Sequence, residues 1–422
     1  MKYFKEFEMP KAPKIPEREF DIRNFGAAEG GEHINTQAFK KAISACSEKG
    51  GGKIIVPKGK WLTGAIHLES NTELCIEKDA ELVFSEDKKA YLPVVFTSFE
   101  GIRCYNYSPL IYAYGKENVA ITGEGTVNGG GMGWWGWKII DDGINSLYTA
   151  SMLDTPVEKR IYGEERFGLR PCFLQLADCK NVLMEGIKII NSPFWNVHPI
   201  WCENVIIRGL RLDNPFKSPN TDSINIEGCN RVLVENCLIT GGGDDIFTLK
   251  SGRGTDGWNM KKPCKNIVIR NCEARDTNGG GIVIGSEMSG GVENVLAENC
   301  RFKNIMNGLK IKSKKGRGGY IKNIEYKNIK AENVINAINV TLRYAYDDQF
   351  SGNGLEAMPE VKNLHYENFE CLNAKNSVTV EGVEGCKISN VSFKNIKIEN
   401  GGTPFCADCI ENLSAENVCI NI

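Results

Sequence analysis

From about Asn118 onward one short phrase keeps returning along the chain: an Asn, an aliphatic residue, a few alternating positions, often a second Asn, then another alternating run. Cys179-Lys180-Asn181-Val182, Cys202-Glu203-Asn204-Val205, Cys229-Asn230-Arg231-Val232 and Cys264-Lys265-Asn266-Ile267 are copies. The phrase continues at Glu293-Asn294-Val295, Lys322-Asn323-Ile324, Lys362-Asn363-Leu364, Asn390-Val391 and Glu411-Asn412-Leu413. The interval is roughly 22 to 40 residues, the range of solenoid repeats, so no copy can bury a core alone. Inside each copy the alternation has period two, as in Val182-Leu183-Met184-Glu185-Gly186-Ile187-Lys188-Ile189, which marks strands with one face inward and one outward. Copies that touch only their neighbours stack into a coil of parallel strands. The expected fold is therefore an all-β parallel β-helix forming one domain over residues 1–422.

A coil places equivalent residues of successive rungs directly above one another, about 4.8 Å apart. The Cys before each Asn, and a second series at Cys237, Cys272 and Cys300, then become internal ladders of small polarizable side chains. The 16 cysteines lack the paired Cys-x-x-Cys spacing of a zinc site and read as reduced and buried. The repeated Asn suits a turn that needs left-handed backbone and side-chain hydrogen bonding. An N-terminal region, 20–60, differs: residues 36–49 carry Phe39, Ala42, Ile43 and Cys46 at helical spacing, open at Asn35-Thr36 as a cap and stop at Gly50-Gly51-Gly52. This helix is expected to cover the open end of the coil. With 51 Lys plus Arg against 53 Asp plus Glu, no global field draws in nucleic acid or an acidic membrane. No run is apolar and long enough to span a bilayer or serve as a secretory signal in Met1 to Pro16, so a cytoplasmic location is expected.

Aligning the central rungs on their apolar cores pairs Ile224-Asn225-Ile226 with Phe247-Thr248-Leu249, then Ile282-Val283-Ile284, then Leu309-Lys310-Ile311. In that register Asp222 and Asp245 each lie two positions before the core strand and stack on adjacent rungs, with Asp244 beside them. Crowded carboxylates are costly unless some hold protons or a cation or substrate sits among them. Glycoside hydrolysis needs such a set, one carboxyl protonated to donate to the leaving oxygen and another ionised to activate water or attack the sugar. An Asx-turn ladder or a calcium site would use the same residues. Lys250, Lys310 and Lys312, with Arg253 further on, fall near the aspartates and suit the carboxylate of an acidic sugar, or simply pair with neighbouring acids. Trp134-Trp135-Gly136-Trp137, Trp195 and His198 stand close by. Tryptophans there either stack on sugar rings or anchor loops.

These residues resemble the polygalacturonase family, family 28 of the glycoside hydrolases, over nearly the whole chain. The resemblance rests on Asn220-Thr221-Asp222, Gly243-Asp244-Asp245, Lys250-Ser251-Gly252-Arg253 and Gly285-Ser286-Glu287-Met288-Ser289-Gly290-Gly291. Phe25-Gly26-Ala27, Pro57-Lys58-Gly59-Lys60-Trp61 and Ser192-Pro193-Phe194-Trp195 also fit. It implies a right-handed, single-stranded β-helix and inverting hydrolysis of α-linked galacturonate without a cofactor or metal. It makes Asp244 the general acid and Asp222 with Asp245 the pair that activates water. Asn220, Lys250, Arg253, Glu287, Trp195 and His198 are expected around the substrate. The family's Arg-Ile-Lys segment falls on Lys310-Ile311-Lys312, where lysine keeps the charge but loses the bidentate fork. A sugar-contacting tyrosine corresponds to Tyr344. One departure stands out: the family's Gly-His-Gly is replaced by Gly279-Gly280-Gly281, and His198 matches a different position.

The expected partner is thus an acidic, pectin-derived oligosaccharide trimmed from its end. A rhamnogalacturonan or substituted galacturonan fragment is the alternative substrate. A pectate-lyase-type eliminase and a non-catalytic saccharide-binding β-helix are the alternatives of another class.

Overall fold

The computed structural model describes residues 1–344 and 356–422, and its chain winds into a right-handed parallel β-helix. One 29-stranded sheet contains three series of parallel strands, each pairing with its counterpart one rung on. The strands Lys180–Glu185, Glu203–Arg208, Asn230–Glu235 and Cys264–Arg270 form one series, with Val182 opposite Val205, Val205 opposite Val232 and Val232 opposite Ile267. Those four side chains are fully buried, and removing each from water contributes about 1.5–3 kcal/mol. Towards the C-terminus the series fuse, so that Tyr320–Thr341 and Glu360–Glu381 each run across all three faces, with left-handed asparagines such as Asn328 and Asn333 at the turns between them.

Both ladders read from the sequence are present. The Cys179 amide donates to Cys202 Sγ (3.4 Å) and the Cys202 amide to Cys229 Sγ (3.3 Å), while Cys202 Sγ donates to the Leu176 carbonyl one rung back (3.0 Å). The asparagine amides stack likewise, Asn204 Nδ2 donating to Asn181 Oδ1 (3.0 Å) and Asn294 Nδ2 to Asn266 Oδ1 (2.7 Å). One rung departs from the pattern. Arg231, not Asn230, takes the left-handed position (φ 60), and its Nε donates to Asn204 Oδ1 (2.8 Å), so the guanidinium substitutes for the missing amide.

The helix Thr36–Glu48 buries Phe39, Ala42, Ile43 and Cys46 against the first rungs. Asn35 does not cap it through its side chain, contrary to expectation. That amide is committed elsewhere, accepting from the Ala28 amide (2.8 Å) and donating to the Leu62 carbonyl (3.1 Å).

Three excursions leave the coil and meet beside its central rungs. They are an antiparallel hairpin (Val95–Phe99 with Ile102–Asn106), an insertion containing the helix Asp142–Met152, and the helix Gly254–Met260. Asp256 ties them together, since its buried carboxylate accepts from Arg103 Nε (2.9 Å), Arg160 Nη1 (2.7 Å) and Ser151 Oγ (2.6 Å). No described helix is long and apolar enough to cross a membrane.

Candidate active site

The strands Leu174–Ala177, Val197–Ile200, Ile224–Glu227, Phe247–Lys250 and Gly280–Ile284, with residues 307–312 of the strand Arg301–Lys312, form one face of the coil. Ile224 stands opposite Phe247, Phe247 opposite Ile282 and Ile282 opposite Leu309, the register read from the sequence. The segments entering those strands are also in step, because the Ser223 amide donates to the Asp245 carbonyl (3.0 Å) and the Ile224 amide to the Ile246 carbonyl (2.8 Å). Asp222 is thereby stacked on Asp245. Asp222, Asp244 and Asp245 each bring an oxygen within 4.8 Å of the others, at the floor of a cleft of about 500 Å³.

Identical groups this close cannot all ionise alike, and their surroundings separate them. Burial and the charge of Asp244 push the Asp222 carboxyl well above its ordinary range, against the pull of Lys250 Nζ at 3.4 Å. Burial and the charge of Asp245 likewise raise Asp244. Asp245 is buried too, but Lys312 Nζ at 2.8 Å and the Gly280 amide donating to its other oxygen (2.8 Å) hold it below the usual value. Asp222 and Asp245 are almost inaccessible, whereas Asp244 is half-buried and faces the cleft. A carboxyl that a substrate can reach and whose pKa is raised thus stands beside one whose pKa is lowered.

The cations divide into two sets. Lys250 Nζ pairs with Asp222 and with Glu287 Oε2 (3.1 Å), and Arg253 Nη2 pairs with Glu287 Oε1 (2.8 Å) and Glu100 Oε2 (3.5 Å). Glu287 is therefore an internal counter-ion, held ionised against its burial by Lys250 and Arg253, and its oxygens face those cations. Lys310 has no ion-pair partner among the described residues. Its ammonium lies 5.7 Å from the Tyr344 ring, and burial together with Lys312 lowers its pKa. The exposed Lys138 and Lys217 also line the cleft. These three can receive an external carboxylate.

The pattern of Glycosyl hydrolases family 28 matches residues 163–419. The chain belongs to this family. A "Probable polygalacturonase" from Vitis vinifera is 30% identical over 386 residues, covering 89% of this chain and 73% of that protein. Among solved structures, a hyperthermoactive exopolygalacturonase from Thermotoga maritima is 37% identical, with a TM-score of 0.88 over 97% of this chain and 94% of the other. A family 28 exopolygalacturonase from Yersinia enterocolitica shares the fold, at 23% identity and TM-score 0.77 over 96% and 76% of the two chains. The protein is accordingly a glycosidase.

Two expected substrate contacts of this family 28 hydrolase are buried rather than open on the cleft surface. His198 is fully buried, its Nε2 2.8 Å from Glu227 Oε2 and its Nδ1 3.0 Å from Gln175 Nε2, so it belongs to a polar network beneath the cleft floor. Trp195 borders the cleft but is only 2% exposed. Phe194 stacks on it at 5.2 Å and Lys250 Nζ lies 4.0 Å from the ring centroid, which leaves no free face for a sugar. Trp134 is likewise buried, packing edge-on against Tyr91 and Trp137, and Trp135 Nε1 donates to the Ser192 carbonyl (2.8 Å), so these indoles anchor the insertion that carries Lys138. Tyr344 and Asn220 do line the cleft.

The missing histidine has a steric counterpart. A Cβ at Gly280 would lie 2.6 Å from Val283 Cγ2, a fully buried methyl that fills the space a larger residue would need. Arg170, Lys138, Lys217 and Glu100 escaped the sequence reading. Glu100, Lys138 and Arg170 lie on excursions where no register connects them to the aspartates, and Lys217 lies in the loop between the strands Arg211–Asn214 and Ile224–Glu227, where the period-two pattern does not run.

Proposed function

We propose that this hydrolase removes galacturonate units from the end of α-linked, pectin-derived oligosaccharides with inversion at the anomeric carbon. The observation that carries the reading is geometric: three adjoining carboxyls, one pinned by Lys312 and the Gly280 amide and one facing the cleft, stand beside Lys310, Lys138 and Lys217, which pair with no acid among the described residues. Asp244 gives its proton to the glycosidic oxygen as that bond to the anomeric carbon breaks. Asp245 takes a proton from a water oriented with Asp222, and the water oxygen forms the new bond. Lys310, Lys138 and Lys217 receive the substrate's carboxylates. Support for end-on action comes from the likeness to the Thermotoga maritima exopolygalacturonase and from the insertion that walls the cleft with Lys138. A cytoplasmic setting, with short imported oligomers as substrate, is supported by sixteen free thiols, since oxidising compartments favour disulfides.

The test is incubation with tri- and tetragalacturonate, following reducing ends, ultraviolet absorbance and product sizes, with Asp244→Asn as control. Release of saturated monomer that the variant abolishes is expected. Mid-chain products would overturn the exo reading, and an unsaturated, chelator-sensitive product would point to elimination instead.

A further inference from the structure

Arg170 is a buried cation with no anionic partner among the described residues. Only 3% of it is exposed, and its hydrogen bonds go to neutral acceptors: Nη1 donates to the carbonyls of Pro219 (2.7 Å) and Pro193 (3.1 Å), and Nη2 donates to Asn220 Oδ1 (2.7 Å). The guanidinium also lies 5.0 Å from the Phe194 ring. Among the described residues no carboxylate reaches it within ion-pair distance, although Glu100 and Asp244 are the acids whose charges act on it most strongly. Burying a charge this way is expensive, and packing alone would be served by an apolar side chain of similar volume.

The bond to Asn220 has a directional consequence. Guanidinium is donor-only, so the Asn220 oxygen must face Arg170 and its Nδ2 must face the other way. Nδ2 then points at Asp244 Oδ2, 3.5 Å distant, while Asp244 Oδ1 accepts from the Asp245 amide (2.9 Å). Oδ2 is thus the oxygen free to carry the proton. Asn220 holds a left-handed backbone (φ 52), which asparagine tolerates better than most residues.

We propose that Arg170 is a positioning residue for proton donation: by locking the Asn220 amide it keeps Nδ2 aimed at Asp244 Oδ2, the support that the absent histidine at 279–281 does not give. This rests on the reading of Asp244 as general acid. As the proton leaves Oδ2, the long contact to Nδ2 becomes a charge-assisted hydrogen bond, and the fixed cation behind it stabilises the new carboxylate without reorganisation.

The experiment compares wild type with Arg170→Gln, and with Arg170→Lys as the variant that keeps the charge if the first fails to fold, on trigalacturonate and on nitrophenyl galacturonide. The second substrate's leaving group departs without needing a proton. On trigalacturonate kcat should fall on the order of ten- to a hundred-fold with KM within about three-fold, while the nitrophenyl substrate should lose less than about three-fold. The alkaline limb of the kcat profile should move to higher pH, because Asp244 loses a donor that favours its ionised form. In an Asp244→Asn background the Arg170 substitution should add nothing. Equal losses on both substrates, an unmoved alkaline limb or an additive loss with Asp244→Asn would overturn the proposal. If wild type turns over neither galacturonide, the functional reading fails on its own, and carbon-13 titration of Asp244 decides: an upward shift in the Arg170 variant supports the positioning role, and an unmoved titration refutes it.

Discussion

Lys312 Nζ stands 2.8 Å from Asp245 Oδ2, with only 12% and 7% of the two side chains exposed. A pair this dry is strongly coupled, and removing one partner leaves the other an uncompensated buried charge. Lys312→Met should therefore let burial raise the Asp245 pKa. With Asp245 as the proposed ionised base, activity is lost as pH falls through its pKa. The acidic limb of the kcat/KM profile should move to higher pH, with the largest loss below neutrality. A limb at its original position would remove Asp245 as the group that titrates there.

The other two carboxylates carry the opposite sign. Burial first, and then a neighbouring aspartate, raise Asp222 and Asp244 above the unfolded value of about 3.9. Each therefore binds its proton more tightly when folded, and stability falls as pH rises from the unfolded pKa to the folded one. Asp222→Asn and Asp244→Asn should each raise the melting temperature at neutral pH, with the gain vanishing towards pH 4. The same substitutions should cut kcat by roughly 10²- to 10⁴-fold. A melting temperature that drops at pH 7 would show that the crowding is already relieved in the native state.

Much of this site was legible because a solenoid converts sequence offset into spatial adjacency. Asp222 and Asp245 share one offset from their core strands, and the observed pairing of Ile224 with Phe247 puts them in contact. Period two likewise puts Lys310 and Lys312 on one face, where both line the cleft. Offset does not say whether a polar side chain ends above or below the cleft floor, which is how His198 came to be misplaced. Its buried partner Glu227 lies on the next rung, and only a three-dimensional view shows the pair closed off from the cleft. Nor does offset reach residues such as Arg170, which approaches the site from an excursion with no repeat of its own.

Restoring the family histidine tests whether Val283 has replaced it. At position 280 the new Cβ would meet Val283 Cγ2 at 2.6 Å and Asp245 Oδ1 at 3.2 Å, so Gly280→His alone should overpack the floor at a cost of about 1–3 kcal/mol and lower kcat. Adding Val283→Ala removes the opposing methyl and should recover both melting temperature and activity. A single variant as stable as wild type would show that the floor yields without help.

The N-terminal arm makes a stability prediction separate from catalysis. Lys5 and Asn294 exchange two hydrogen bonds, at 2.7 and 2.8 Å, and the Phe4 amide donates to Glu325 Oε1 (2.8 Å). The Phe4 ring covers Leu233, Val268 and Leu296, which point outward from a face other than the one bearing the cleft. Phe4→Ser should cost about 1.5–3 kcal/mol in a urea unfolding series, with kcat unchanged. Loss of activity at full stability would instead connect the arm to the cleft.

The stereochemical outcome brings the geometry to its sharpest test. Inverting hydrolases commonly separate their two carboxyl groups by about 6.5–9.5 Å and retaining ones by about 5–5.5 Å, whereas oxygens of Asp222, Asp244 and Asp245 lie within 4.8 Å. Oxygen spacing alone would thus favour retention. Three carboxyls change the inference, because Asp245 is pinned by Lys312 and Gly280 while Asp222 stacks on it, and two oxygens on adjacent rungs can hold one water between them. A nucleophile would also have to leave that cation to bond the sugar. Proton NMR of the first product formed from a reduced oligomer should therefore show the β-anomer ahead of mutarotation. Initial α-product would make one of these aspartates the nucleophile and predict a trappable glycosyl-enzyme.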